Sequence, residues 1–301
     1  MKHLGLWLAC ASLLLAFEYG LKPKKVGEGI YCYFGKPEAM DRHNNGNMVN
    51  SCFVDMGKEW LVIDSGPTYL YAKEASEQIF RIKPLPIQHV LNTHVHDDHW
   101  LGNGYYKQHG ATILGSESFD DINVNQTTRM QNRISEKAYD ATFPVLPEGS
   151  IKADQTIIIA GKKVVLKLVE EKAHTEGDIY VYLPSRKAVF AGDLVFNDRL
   201  PSLRDGDISG WISALEEIEA MDIEVLVGGH GFRTDKGSLN LTLNYLKELK
   251  KGIREILDRG GDISDAVREL TMKSYAKEGM YDDLHKANIN SAFQMLEWSD
   301  E

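Results

Sequence analysis

The stretch NTHVHDDHWLGN, residues 92–103, constrains this chain more than any other. It sets three of the ten histidines within six residues, His94, His96 and His99, with Asp97 and Asp98 among them. A hydrophobic core rejects such a run, because buried imidazole and carboxylate groups need partners. The segment just upstream, PIQHVLNT, reads as a short buried strand. The cluster therefore stands where a strand hands over to a loop, a usual place for chemistry on a rigid scaffold.

The surrounding pattern is mixed. Strand-like runs cover 29–35, 49–56 and 60–64, and residues 69–83 have helical spacing. Residues 104–109 and 117–140 read as mostly helical, with ATILG a short strand between them. QTIIIAGKKVVLKLVE is two strands about an AG turn. DIYVYLP and KAVFAGD continue the strand series, DISGWISALEEIEAMD is an amphipathic helix capped by an Asp, and IEVLVGGHG is a further strand. From 238 onward the pattern is helical, broken at DRGGDIS. Strands at the ends of each half with helices between predict a layered α/β architecture with mixed sheets.

Three later strand ends each deliver one more ligand-type residue: His174 after LKLVEEKA, Asp193 after AVFAG and His230 after EVLVGG. Imidazole and carboxylate are donors that suit Zn2+. His94 and His96, two apart in an extended segment, point the same way and can share one ion. Asp98 and His99 lie where the chain turns, and can face a second. Glycines 192, 228, 229 and 231 let the backbone approach.

THVHDDH matches H-x-H-x-D-H, and on these residues the chain resembles the metallo-β-lactamase superfamily over about 26–235. The resemblance implies a four-layer αββα sandwich with two zinc ions at one edge and a helical C-terminal extension. It places His94, His96 and His174 on the first ion and Asp98, His99 and His230 on the second. Asp193 bridges them, and Asp64 of VIDSG supports the site from behind. Asp193 stands where enzymes with a cysteine ligand carry Cys, and His96 where di-iron flavoproteins favour a carboxylate. The segments AGDLVFNDRLPSLRDGDISGWISALE and GGHG look most like exported metallohydrolases that accompany quinoprotein or sulfur-oxidation systems.

The activity this implies is hydrolysis of a small ester, thioester, lactone or amide by a hydroxide bridging the two ions, with Asp98 orienting it or taking its proton. β-Lactam hydrolysis is an alternative, and a non-catalytic metal-dependent binding protein of a periplasmic redox system is another. A mononuclear iron enzyme of the persulfide-oxidising kind needs only one ligand set, and the second set speaks against it.

Composition narrows the partners. The net charge is −10 with no basic run, which argues against nucleic acid and leaves room for a small-molecule substrate, an anionic one included. MKH followed by the uncharged LGLWLACASLLLAF reads as a signal peptide or N-terminal anchor within residues 1–20, a membrane tether only through that segment. Residues 21–301 then form one hydrolase domain, periplasmic or secreted. Cys32 and Cys52 lie in strand-like runs and form either a disulfide or two small buried thiols. Asp97 reads as a solvated or helix-starting residue. His43 is either a loop group overhanging the site or an exposed one. Surface charge is the default for Arg199, Ser202 and Arg204, substrate contact the alternative. Trp100 and Trp211 read as packing residues.

Overall fold

The computed structural model describes residues 17–126 and 128–299. The chain opens with β1 (Lys24–Gly27), β2 (Ile30–Tyr33), β3 (Ser51–Asp55) and β4 (Trp60–Ile63). Then come α1 (Tyr69–Ile82), β5 (Ile87–Leu91), α2 (Asp97–Trp100), α3 (Asn103–Gln108), β6 (Thr112–Ser116), α4 (Arg129–Arg133), α5 (Glu136–Tyr139) and β7 (Gly149–Ile151). A second set follows: β8 (Gln155–Ile159), β9 (Lys162–Leu168), β10 (Ile179–Leu183), β11 (Ala188–Phe196), α6 (Ile208–Ala220) and β12 (Val225–His230). The chain ends in α7 (Asn240–Asp258), α8 (Ile263–Glu269) and α9 (Tyr281–Glu297).

These strands form two mixed sheets. One runs β1-β2-β3-β4-β5-β6-β7, antiparallel through β4 and parallel beyond it. The other runs β12-β11-β10-β9-β8, antiparallel except for the β11–β12 pair. Alternation along each strand decides which face meets which layer. In β2 to β4, Ile30, Cys32, Cys52, Val54, Leu61 and Ile63 face the other sheet, where they meet Val164, Leu166, Val181 and Phe190. Tyr33, Phe53, Trp60 and Val62 face outward onto Tyr71, Ala75 and Ile79 of α1 and Tyr106 of α3. Beyond the second sheet, Tyr180, Val189 and Ala191 meet α6, α7 and α9 through Trp211, Leu215, Leu246, Leu249 and Phe293. The result is the expected helix–sheet–sheet–helix sandwich, with the C-terminal helices adding to its second outer layer.

Cys32 and Cys52 are register partners across β2 and β3 and form a disulfide in the inter-sheet core. The segment 117–140, expected as mostly helical, is a short 3-10 turn, a loop and the brief helices α4 and α5. Thr128 and Ser135 each cap a new helix start there, and so divide the run. Residues 1–16, which hold most of the expected signal or anchor, lie outside the described residues. The backbone N–H groups of Tyr19 and Leu21 already donate to the Glu74 carboxylate of α1, at 2.6 and 2.5 Å. Among the described residues, no helix is long and apolar enough to cross a membrane.

Candidate metal centre

Four strand ends at one rim of the sandwich converge. Strand β5 leads through Asn92 and Thr93 into His94 and His96, and the chain then coils into α2, which carries Asp98 and His99. His174 precedes β10, Asp193 lies within β11 and His230 ends β12. Their donor atoms form two groups, each with all atoms within 4.8 Å of one another: His94, His96, His174 and Asp193; and Asp98, His99 and His230. All seven expected site residues are thus brought together, and six are buried, with His96 half-buried.

The distances say how the groups relate. Asp193 Oδ2 lies 3.6 Å from His94 Nε2, 3.3 Å from His174 Nε2 and 3.3 Å from His230 Nε2. Its Oδ1 lies 3.1 Å from His99 Nε2. His96 turns its Nδ1 inward, 2.9 Å from His174 Nε2. Asp98 Oδ2 stands 3.8 Å from His230 Nε2 and 3.9 Å from His99 Nε2. Donors around a tetrahedral zinc are about 3.3 Å apart for Zn–N bonds of about 2.0–2.1 Å, so most of these spacings suit a shared ion. One carboxylate, Asp193, touches both groups. A Cβ at Gly229 would overlap Asp193 Oδ1, which gives that glycine its reason.

The chemistry of the donor set also fits a cation. His94 Nε2, His99 Nε2 and Asp193 Oδ1 are buried and have no hydrogen-bond partner among the described residues. The 3.1 Å approach of the last two lacks hydrogen-bond geometry. Orphaned buried atoms are costly, and here they face one another. Burial pushes the His94 imidazole well below its usual range, toward the neutral form a metal requires. Burial would lower His99 too, but Asp193 and Asp64 outweigh it and hold that ring well above its usual range. His99 Nε2 is the atom that would hold a divalent ion in place of that proton.

Behind the donors stands a supporting shell of the kind that orients metal ligands. Asp64 accepts from Thr93 N and Thr93 Oγ1 and pairs with His99 Nδ1, each at 2.8 Å. Its backbone is left-handed, φ 57°, a conformation aspartate tolerates better than most residues. Thr93 Oγ1 lies 3.0 Å from His94 Nδ1. His230 Nδ1 donates to Met48 O at 2.6 Å. Trp211 packs edge-on to His174, 4.9 Å between centroids, and its Nε1 donates to Leu194 O. Trp100 is likewise buried, against Phe119, with Nε1 donating to Val95 O. Both tryptophans pack, as expected.

Several groups escaped the sequence. Arg129 binds Asp98 Oδ1 at 2.6 Å and Asp97 Oδ1 at 2.7 Å, and Asp97 Oδ2 accepts from Met130 N. Asp97 does start a helix, α2, but it is paired rather than solvated. Burial alone would raise Asp98, yet Arg129, His99 and His230 outweigh it and hold the carboxyl well below the carboxylate range. Asp205 lies 3.0 Å from His96 Nε2 and is itself paired with Arg204. The RDGD run contains Asp205, but no spacing marked it. Arg199 is a second correction: it is buried, not a surface charge, with its guanidinium over Phe196 and its backbone bridged to Gly279. Ser202 is half-buried and Arg204 exposed; both line the centre's cavity with Arg199. His43 is exposed and lies outside that lining.

A family model described as the metallo-beta-lactamase superfamily matches residues 44–230, and the chain belongs to that superfamily. A metallo-beta-lactamase type 2 of Bacillus sp. (strain 170) is 25% identical over 210 residues, covering 67% of this chain and 75% of the relative. The acyl-coenzyme A thioesterase MBLAC2 of Homo sapiens is 27% identical over 241 residues, covering 69% and 80%. A hydroxyacylglutathione hydrolase of Brucella ovis is 27% identical over 173 residues, covering 56% and 58%. A solved metallo-beta-lactamase from Pontibacter korlensis aligns with a TM-score of 0.59 at 21% identity, covering 75% of this chain and 99% of that one; this likeness is one of fold. Superfamily members are hydrolases, and this chain is a metal-dependent hydrolase of that kind.

Proposed function

We propose that the protein is a dinuclear zinc hydrolase acting on a small ester, thioester, lactone or amide. The observation that carries this reading is the convergence of two donor groups on one shared carboxylate, Asp193. His94, His96 and His174 would hold one ion, Asp98, His99 and His230 the other, and Asp193 both. Zinc, when bound, lowers the pKa of water to about 7 and polarises a carbonyl oxygen.

The chain's own residues set the rest. Asp64 and Thr93 fix the rings of His99 and His94, and Met48 fixes His230. Arg129 occupies one oxygen of Asp98 and keeps the carboxyl ionised, which makes it a poor proton acceptor. Asp98 would then serve as a ligand through Oδ2, the oxygen that faces His99 and His230. A cleft of about 430 Å³ opens beside the centre, with Val95, Trp100, Ile122 and Pro144 among its walls and His96 and Arg129 at its inner edge. It offers an apolar wall for the acyl or leaving group.

Two of the relatives are named for thioester or glutathione-conjugate hydrolysis, which favours a thioester substrate. β-Lactam hydrolysis is the second reading, favoured by the metallo-beta-lactamase relative. The expected setting is the periplasm or the secreted fraction, with residues 1–20 as signal or anchor and 21–301 as one domain. The Cys32–Cys52 disulfide supports it, since such bonds persist in oxidising compartments. Association with a quinoprotein or sulfur-oxidation system belongs to the same proposal, on the likeness of residues 191–216 and 228–231.

Metal analysis with a chromogenic panel of β-lactam, thioester and lactone substrates tests the reading. About two zinc ions per chain and metal-dependent turnover of one class are expected, with activity lost in His96→Ala. Full activity in that variant would remove the mechanism.

A further inference from the structure

Asp205 meets His96 from an exposed stretch of chain. The loop between β11 and α6 spans 197–207. Within it Arg204 and Asp205 are exposed, while Pro201, Leu203 and Gly206 are buried. Asp205 Oδ2 lies 3.0 Å from His96 Nε2 and accepts from Arg204 Nε at 2.7 Å. A metal-binding imidazole is oriented by the partner of its other nitrogen. An exposed carboxylate in that role is aimed by the backbone on either side of it.

That backbone is held largely by the C-terminal extension. Near its start, Leu200 N donates to Gly279 O at 2.8 Å and Gly279 N donates to Asp198 O at 3.0 Å. In its middle, Leu203 N donates to Asn288 Oδ1 at 3.0 Å, and Pro201 O accepts from Asn288 Nδ2 at 2.8 Å. At its end, Asp207 N donates to Ala173 O at 2.7 Å. Gly279 and Asn288 lie beyond the residues that match the superfamily, 44–230. Leu200 and Leu203 also bury their side chains in the core that contains Ile289 and Phe293 of α9. Apolar packing is non-directional, whereas hydrogen bonds fix the direction in which a peptide points.

The Asn288 amide is locked in one orientation. The residue is 1% exposed, and its Nδ2 also donates to Tyr245 Oη of α7 at 3.1 Å. Tyr245 Oη lies 3.0 Å from His285 Nδ1, and His285 Nε2 lies 2.7 Å from Leu270 O. A carbonyl only accepts, so His285 carries a proton on Nε2. Burial outweighs the Leu270 carbonyl and holds the imidazole below its usual range, which favours the neutral ring. Nδ1 then accepts from the Tyr245 hydroxyl. That hydroxyl has spent its proton and can only accept from Asn288. The nitrogen of the amide therefore faces Pro201 and Tyr245, and its oxygen faces Leu203.

Resting on the zinc hydrolase reading above, we propose that Asn288 of α9 is a positioning residue of the metal centre: by holding Pro201 and Leu203 it aims Asp205 at His96. The C-terminal extension then tunes how the group of His94, His96 and His174 holds its ion, as well as covering the sandwich. An Asn288 that only satisfied buried backbone groups would cost stability when removed and leave zinc affinity alone.

Competition for zinc between the full chain and a coloured chelator reads this without turnover. Asp205→Ala should weaken zinc binding by roughly 10–100-fold, as loss of a ligand's outer partner does. Asn288→Ala should weaken it by on the order of tenfold. Adding Asn288→Ala to Asp205→Ala should weaken it little further, because both act through His96. Phe293→Leu loosens the core contact of α9 and should leave zinc affinity at the wild-type level. Hydrogen exchange of metal-free protein is the second arm. Amides in 199–205 should exchange faster by on the order of tenfold in Asn288→Ala, and at the wild-type rate in Phe293→Leu. Unchanged zinc affinity in Asn288→Ala, equal weakening in Phe293→Leu, or additive losses in the double variant would overturn the proposal. A wild type that takes up no zinc would remove the metal reading alone, because exchange still decides whether Asn288 holds the loop: faster exchange upholds that role and unchanged exchange overturns it.

Discussion

The two rims of the sandwich both gather charge, and they treat it differently. At the rim opposite the donor cluster, Asp55 meets Lys83, Lys162 and Arg186. Its Oδ2 pairs with Lys83 Nζ at 2.6 Å and its Oδ1 accepts from Gly57 N. Its carbonyl accepts from Lys162 Nζ and Arg186 Nη2. The Asp55 carboxylate is met within the chain, and the Lys83 side chain stays 43% exposed to water. At the other rim, imidazoles crowd imidazoles, and buried atoms of His94, His99 and Asp193 lack partners. The Asp55 rim leaves one buried donor, Arg186 Nη1, without a partner, but its carboxylate is complete as folded. The Asp193 rim is arranged for something added. Unsatisfied polar atoms that face one another mark a binding centre more firmly than charge alone.

That contrast can be broken most severely at its shared carboxylate. Asp193→Ala should abolish second-ion retention and lower activity well beyond the roughly 10–100-fold typical of an outer-shell change. Zinc content and kcat/KM measure it. A variant that keeps both ions would dissolve the distinction between the rims.

Arg129→Met comes next. It strips the buried Asp98 of its cation, which should cost about 3–5 kcal/mol in metal-free protein, read by urea unfolding. The cost should shrink in zinc-loaded protein, because the ion then supplies the missing positive charge. Equal costs in both forms would mean that Asp98 does not face the ion.

Between the rims, Cys32→Ser with Cys52→Ser opens a crosslink spanning 20 residues. About 2–4 kcal/mol of stability should be lost, with zinc content unchanged. Smallest is the Asp55 rim, where Lys83→Ala should cost less than about 1 kcal/mol because the pair is solvated. Burial raises the Asp55 carboxyl, but the Lys83 ammonium and Gly57 N–H outweigh it and hold it below the usual range. Folding therefore favours the ionised form. The pair's stabilisation is present above the unfolded pKa of Asp55 and fades as pH falls through the folded one. Wild type and Asp55→Asn should converge in stability at that acid limit. Neither change should touch zinc content.

Much of the centre was legible because its residues sit at strand ends. His94, His96, Asp98, His99, His174, Asp193 and His230 each follow or close an apolar run, and the sandwich follows from those runs. Arg129 and Asp205 were not legible as site residues, and Arg199 only as an alternative to a surface charge, because they come from loops and a brief helix with no periodicity. Their positions depend on partners distant in sequence, such as Gly279 beside Arg199. The edge strands β1 and β7 escaped for a related reason: they are three to four residues long and hold no alternating pattern. The cysteine runs allowed two outcomes, and only the register of β2 on β3 chose between them.

Zinc-edge anomalous scattering from crystals of the full chain tests the central claim most directly. Two peaks are predicted, one among His94, His96 and His174 and one among Asp98, His99 and His230, with the Asp193 carboxylate between them. A crystal grown with zinc that shows no peak at this rim, or peaks only at sites away from these seven side chains, would contradict it.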